Sequence, residues 1–147
     1  MYQKVLLPLD GSERAECALT HVRMLAKAGL VGEVLLLHVV EIPADWLTET
    51  TDLMELLQKM ILRGEEYLAA IQADLEKEGI PATSELVEGR ADETIIDYAK
   101  GHDVNLLVIA SHGHTGIKQW VFGSVALRVL HDAPVPVLLI RPEAKRM

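Results

Sequence analysis

The chain has 147 residues, half of them apolar, with 14 basic and 22 acidic side chains and one cysteine. That composition excludes intrinsic disorder, a disulfide framework and a cysteine-cluster zinc site. The net charge of −8 argues against general nucleic-acid binding, and the length predicts one domain over residues 1–147.

The first element is the short apolar run Lys4–Leu9, and a helix pattern follows over Ser12–Ala28, which Gly29 can cap. Glu33–Val40 is a second apolar run. The connection Glu41–Thr50 holds Pro43 and Trp46 and reads as a flap. Thr51–Glu78 is a long amphipathic stretch that Gly64 can kink or divide. Ala82–Val87 alternates weakly, as an edge strand does. Asp92–Lys100 is a short helix with Gly101 as its stop. Asn105–Ala110 is the third continuous apolar run, Ser124–His131 the last helix, and Val135–Ile140 the last strand.

Continuous apolar runs suit strands buried on both faces of a parallel sheet. Five strands alternating with four helices predict a doubly wound α/β sheet with right-handed crossovers. No apolar run reaches about 18 residues, so no transmembrane helix is expected. The opening MYQKVLLPLD has too short an apolar part for a secretory signal, and Asp10 interrupts it. With one cysteine, the expected compartment is the reducing cytoplasm.

Charge is unevenly spread. Residues 41–80 carry −7, whereas Val104 to the end carries +3, so an anionic ligand is not repelled there. In open α/β sheets ligands bind beyond the carboxyl ends of the strands. The first strand runs into Pro8-Leu9-Asp10-Gly11-Ser12. The third apolar run leads into Ala110-Ser111-His112-Gly113, then His114-Thr115-Gly116 and later Gly123-Ser124. Gly113 and Gly116 allow a ligand close to the main chain. Gly123-Ser124 reads as the start of the final helix, where free N–H groups and the helix dipole attract an anion. The P-loop motif and GxGxxG are both absent.

These residues carry a resemblance. Ala110-Ser111-His112-Gly113, nine residues and then Gly123-Ser124 resemble the nucleotide loop of the universal stress protein family. KVLLPLDGSERAECAL resembles its first strand and helix, LLLHVVE its second strand and APVPVLLIR its last. The resemblance implies a Rossmann-like five-stranded parallel sheet of order 3-2-1-4-5, with helices on both faces. It implies a homodimer paired through the last strand, Val135–Ile140. It also implies ATP binding, with Mg carried by the phosphates near Asp10. By position, Pro8, Leu9 and Asp10 would line the nucleotide and Val39 would meet adenine. Ile109, Ala110 and Gly113 would flank ribose and phosphates. Gly123, Ser124 and Val125 would hold phosphate, with His114 and Gly116 in the same loop. Two departures stand out: Ala110 replaces the pattern's first glycine, where a positive φ would strain it, and Leu9 replaces a hydroxyl of some members.

Each residue has a plainer reading. Asp10 can cap the turn into the first helix. Gly113 and Gly116 can serve loop shape alone, and Gly123-Ser124 a helix start. His112 and His114 lack a third metal ligand at a recognisable spacing. His38 reads as a core histidine with a satisfied ring nitrogen, and Cys17 as a small buried hydrophobe. Lys118 and Arg128 can reach phosphate or lie in solvent. Trp120 and Phe122 can pack the loop or form an interface. Pro134 and Pro136 place the last strand at a sheet edge.

The favoured function is a nucleotide-responsive stress or regulatory module. The alternatives are a slow ATPase or autophosphorylating protein, and a module for AMP, a cyclic nucleotide or a protein partner. Phosphoryl transfer needs positioned cations and a group to orient the nucleophile, and no motif supplies them.

Overall fold

The computed structural model describes residues 1–12, 15–42, 53–111 and 119–142. The elements are β1 (Tyr2–Pro8), α1 (Ala15–Lys27), β2 (Val31–Val40), α2 (Leu53–Lys77), β3 (Ala82–Glu88), α3 (Ala91–Gly101), β4 (Leu106–Ala110), α4 (Gln119–Asp132) and β5 (Val137–Ile140). They form a single-domain α/β fold around one five-stranded sheet of order β3-β2-β1-β4-β5. Every strand pair is parallel.

The apolar runs are buried on both faces because a strand turns alternate side chains to opposite sides. Val5, Leu7, Val34, Leu36, Leu106 and Val108 enter a core with α1 and α2 through Val22, Leu68 and Leu75. Leu6, Leu35, Leu37, Leu107 and Ile109 enter the other, with Ile95, Ile96 and Ala99 of α3 and Val129 of α4. Cys17 is half-buried against the first core, as its apolar neighbours predict. β3 is the edge strand its weak alternation suggests, with Thr83, Ser84 and Glu85 exposed. β5 is the other edge. It begins at Val137, after both prolines, because Pro134 and Pro136 have no N–H to give a ladder.

Element boundaries differ from the sequence reading in several places, notably in the helices. α1 is helical from Ala15, with Gly11-Ser12 in a turn before it. α2 runs unbroken through Gly64, since one helical glycine costs only about 1 kcal/mol against alanine. Gly101 does not stop α3. It is the last helical residue, and the positive φ of 54° falls on Asp103, one of the residue types that tolerates it. α4 begins at Gln119, so Gly123 and Ser124 stand in its second turn rather than opening it. No proline stands between residues 119 and 123 to delay the helix. Gly29 does close α1: with φ +79° its N–H bonds Ala26 O, while Leu30 N–H bonds Leu25 O.

No helix among the described residues is long and apolar enough to cross a membrane.

Candidate functional site

The sheet splits where Pro8 ends β1. From Lys4 onward the even-numbered residues of β1 turn their backbone groups toward β4: the Asn105 N–H bonds Lys4 O at 2.9 Å, and the last β1·β4 pair is Leu6 with Leu107. Pro8 has no N–H to extend that ladder. On the other side β1 stays paired with β2 through Pro8 and Leu37, and the Leu9 N–H bonds Leu37 O at 2.8 Å. β1 and β4 therefore part beyond Leu6, between the strands where the connections reverse direction.

A cleft opens there, with about 520 Å³ of space counting the part open to solvent. Pro8, Leu9, Asp10, Val39, Ile109, Ala110 and Val125 line it, seven of the twelve residues assigned to a nucleotide from sequence. Leu37, Ala91 and Ile95 line it too. Of the ten described lining side chains nine are apolar and one is a carboxylate, a wall that suits a flat apolar ring with one polar edge. Gly123 and Ser124 are on α4, two residues and one residue before the lining Val125. Gly113, His114 and Gly116 lie outside the described residues, as do His112, Lys118 and the flap from Pro43 to Thr50. The side chains of Trp120 and Phe122 lie outside them too.

Ala110 ends β4 fully buried, and Asp103 is the one described non-glycine residue with positive φ. The alanine in the first glycine's place is therefore unstrained.

Asp10 follows β1 into a turn that Gly11 makes at φ +87°. Its Oδ1 accepts the Ser12 N–H at 2.9 Å and the Ser12 hydroxyl at 2.5 Å. This is the capping role that sequence allowed, and it holds the exposed carboxylate beside the cleft. On the far side, the Ser111 N–H bonds Ile140 O at 2.8 Å and ties the end of β4 to β5.

His38 is half-buried, and its Nδ1 lies 2.8 Å from Leu9 O. A carbonyl oxygen only accepts, so Nδ1 carries the proton, and the expected satisfied ring nitrogen is present. His38 belongs to a second cavity, on the α2 side, with Asp10, Gly11, Glu41, Arg63 and Tyr67 among its walls. The His38 and Tyr67 rings meet edge-on, 6.2 Å apart. Among the described residues the buried Tyr67 hydroxyl has no hydrogen-bond partner. Burial first, then the charges of Glu16 and Asp10, push its pKa up to about 12. The nearby Gly11 N–H offsets part of this rise without reaching hydrogen-bond geometry.

At the start of α3, Glu41 Oε1 accepts the Ala91 N–H at 2.8 Å. Arg128 does not stand free for a phosphate: it pairs with Asp92 at 3.3 Å and Asp132 at 2.7 Å. Among the described residues, no group of three or more His, Cys, Asp or Glu could hold a metal ion.

Sequence reading missed Ala91 and Ile95, whose only signal is the general rule that a helix start borders the cleft. It also left Glu41 without a role.

The parallel sheet and its apolar cleft at the reversal point place the chain among doubly wound α/β proteins whose ligands sit beyond the strand ends. The model of the universal stress protein family matches residues 1–141, and the chain belongs to that family. The universal stress protein MJ0531 of Methanocaldococcus jannaschii is 29% identical over 146 residues, covering 99% of this chain and 85% of that one. MJ0577 of the same organism is 30% identical over 156 residues, covering 96% of each. The solved structure of MJ0577 superposes with a TM-score of 0.83 at 32% identity and covers 99% of both chains. A universal stress protein from Archaeoglobus fulgidus, solved in complex with dAMP, superposes at 0.67 with 25% identity, covering 95% of this chain and 98% of that one.

Proposed function

We propose that the chain binds an adenine nucleotide in the cleft between β1 and β4 and acts as a ligand-responsive regulatory module. The observation that carries this reading is the convergence of Pro8, Leu9, Asp10, Val39, Ile109, Ala110 and Val125 on one apolar cleft. The dAMP complex of the Archaeoglobus fulgidus relative supports the ligand class.

The base occupies the apolar part, between Val39 and Ile109. The start of α3 already holds the Glu41 carboxylate, which repels a second anion. The phosphates therefore run toward Gly113, His114, Gly116 and the first turns of α4, with Gly123 and Ser124. ATP with Mg near Asp10 is the proposed ligand, and AMP or a cyclic nucleotide the alternative. The module is a cytoplasmic homodimer paired through β5, whose outer edge is unpaired among the described residues. Leu127 and Leu130 of α4 and Leu138 of β5 are 66%, 41% and 37% exposed, apolar surface that a partner subunit would cover.

Thermal unfolding with Mg·ATP, AMP, cyclic AMP or no ligand tests the reading. With free ligand at about 500 times its dissociation constant, mass action adds about 3.7 kcal/mol to the folded state. For a domain of this size that raises the midpoint by roughly 8–15 °C. No shift with any of these nucleotides, on protein free of co-purified ligand, would overturn it.

A further inference from the structure

The second cavity and the first cleft meet at one stretch of backbone, Leu9-Asp10, and His38 touches that stretch from behind. Within a strand the N–H and C=O of one residue point to the same neighbour, and those of the next residue to the other. Leu9 turns toward β2, where its N–H bonds Leu37 O. The next rung of a parallel ladder would bring the Val39 N–H to Leu9 O. Among the described residues, the His38 imidazole takes that place at 2.8 Å.

The consequence lies on the other side of the peptide plane. In a trans peptide the C=O and the following N–H point in opposite directions, and the chain has no cis bond among its described residues. Fixing Leu9 O toward β2 turns the Asp10 N–H toward β4, which is the side of the cleft. Asp10 lies just past the end of β1, and its carboxylate is engaged by Ser12. Without the imidazole, the Leu9-Asp10 plane would be free to rotate once the ladder ends.

We propose that His38 is a positioning residue. It does not touch the ligand, but its Nδ1–H clamps the Leu9 carbonyl and so presents the Asp10 backbone N–H to a hydrogen-bond acceptor of the nucleotide. The clamp rests on the nucleotide reading above. Either protonation state keeps the donor, because a second proton adds at Nε2. A side chain with a donor at the Nδ1 place can substitute, and one without it cannot. Asparagine carries its amide nitrogen near that place, whereas glutamine reaches the Nε2 place and leucine has no donor.

The test is calorimetric titration of wild type, His38→Asn and His38→Leu with AMP and with Mg·ATP, together with imidazole nitrogen NMR of the ligand-free wild type. The expected result is affinity about tenfold weaker for His38→Leu and within about twofold of wild type for His38→Asn. The spectrum should report the proton on Nδ1 of His38. If His38→Leu fails to fold, His38→Gln takes its place with the same expected loss. A leucine or glutamine variant that binds as wild type does, or an imidazole protonated on Nε2 alone, overturns the clamp and leaves the nucleotide reading standing. Wild-type protein that binds neither nucleotide overturns the nucleotide reading, and the clamp's role with it.

Discussion

The Glu41 carboxylate accepts the Ala91 N–H at 2.8 Å, so the residue that follows β2 closes the first turn of α3, fifty positions away. Arg90, at the N-cap, offers no side-chain cap of its own. Glu41 therefore does the work of a capping side chain from a distance, and its charge faces the positive end of the helix dipole. Glu41→Ala should destabilise the fold by about 1 kcal/mol. Glu41→Gln should cost less, because its amide oxygen still accepts. Urea unfolding of the three proteins measures both. Equal stability of wild type and Glu41→Ala would refute the cap.

Tyr67 sets the opposite expectation. Its hydroxyl is buried and has no partner among the described residues. An unsatisfied buried hydroxyl costs roughly 1–3 kcal/mol, so its removal is free of the usual loss. Tyr67→Phe should match wild type or gain up to about 1 kcal/mol in denaturant unfolding. A loss larger than that would mean the hydroxyl has a partner. In wild type the phenol should titrate near 12 by ultraviolet absorbance. Its folded value stands above the ordinary 10, so its contribution to stability is full below pH 10 and fades as pH rises through about 12.

The sheet was legible because its strands are buried on both faces. LLLHVV and NLLVIA have no polar face to confuse with an amphipathic helix, and turns of Gly and Asp bound them. Contacts between distant residues were not legible. Ala91 and Ile95 carry only the apolar signal of a core helix, and their place in the cleft depends on α3 crossing near the end of β2. The imidazole of His38 reaches a carbonyl 29 positions earlier, and no local pattern encodes that. The start of α4 was misread because a glycine-serine pair looks like a helix opening, while the residues before it are equally able to be helical. Gly101, read as the stop of α3, is its last residue instead, and the positive φ falls on Asp103, because helix ends shift by a residue or two at little cost.

Acid should weaken the fold at the α1–α2 contact. Glu78 is held by Arg23 at 2.7 Å and by Lys27 at 3.2 Å. The hydrogen bond from Arg23 lowers its pKa below the ordinary 4.5; burial opposes this, and the hydrogen bond from Lys27 and the charges of both cations add to the lowering. A depressed carboxylate stabilises the folded state above its unfolded pKa and loses that contribution as pH falls through the folded value. Stability should therefore decline below pH 4.5. Glu78→Gln should be less stable than wild type at pH 7 and converge with it in strong acid. Added salt should narrow the neutral-pH gap, because the pair is partly exposed. Parallel stability profiles for the two proteins across the acid range would exclude this account.

Gly64 and His38 provide the most direct test of how α2 packs against the imidazole behind the cleft. A Cβ on Gly64 would lie 2.5 Å from Leu86 Cδ1 and 2.8 Å from His38 Cδ2. Leucine can swing its methyl aside at small cost. The imidazole cannot follow freely, because its bond to Leu9 O holds it. Alanine gains about 1 kcal/mol in helix propensity over glycine, whereas overpacking a core costs typically 1–3 kcal/mol. The crowding should win: Gly64→Ala should be about 1 kcal/mol less stable than wild type. The sign should depend on His38. In a His38→Ala background the ring is gone, most of the clash goes with it, and the helix-propensity gain should emerge. A double-mutant cycle should therefore show about 1 kcal/mol or more of coupling between positions 64 and 38. Additive effects would mean that Leu86 alone meets the new methyl and that α2 does not press on the imidazole.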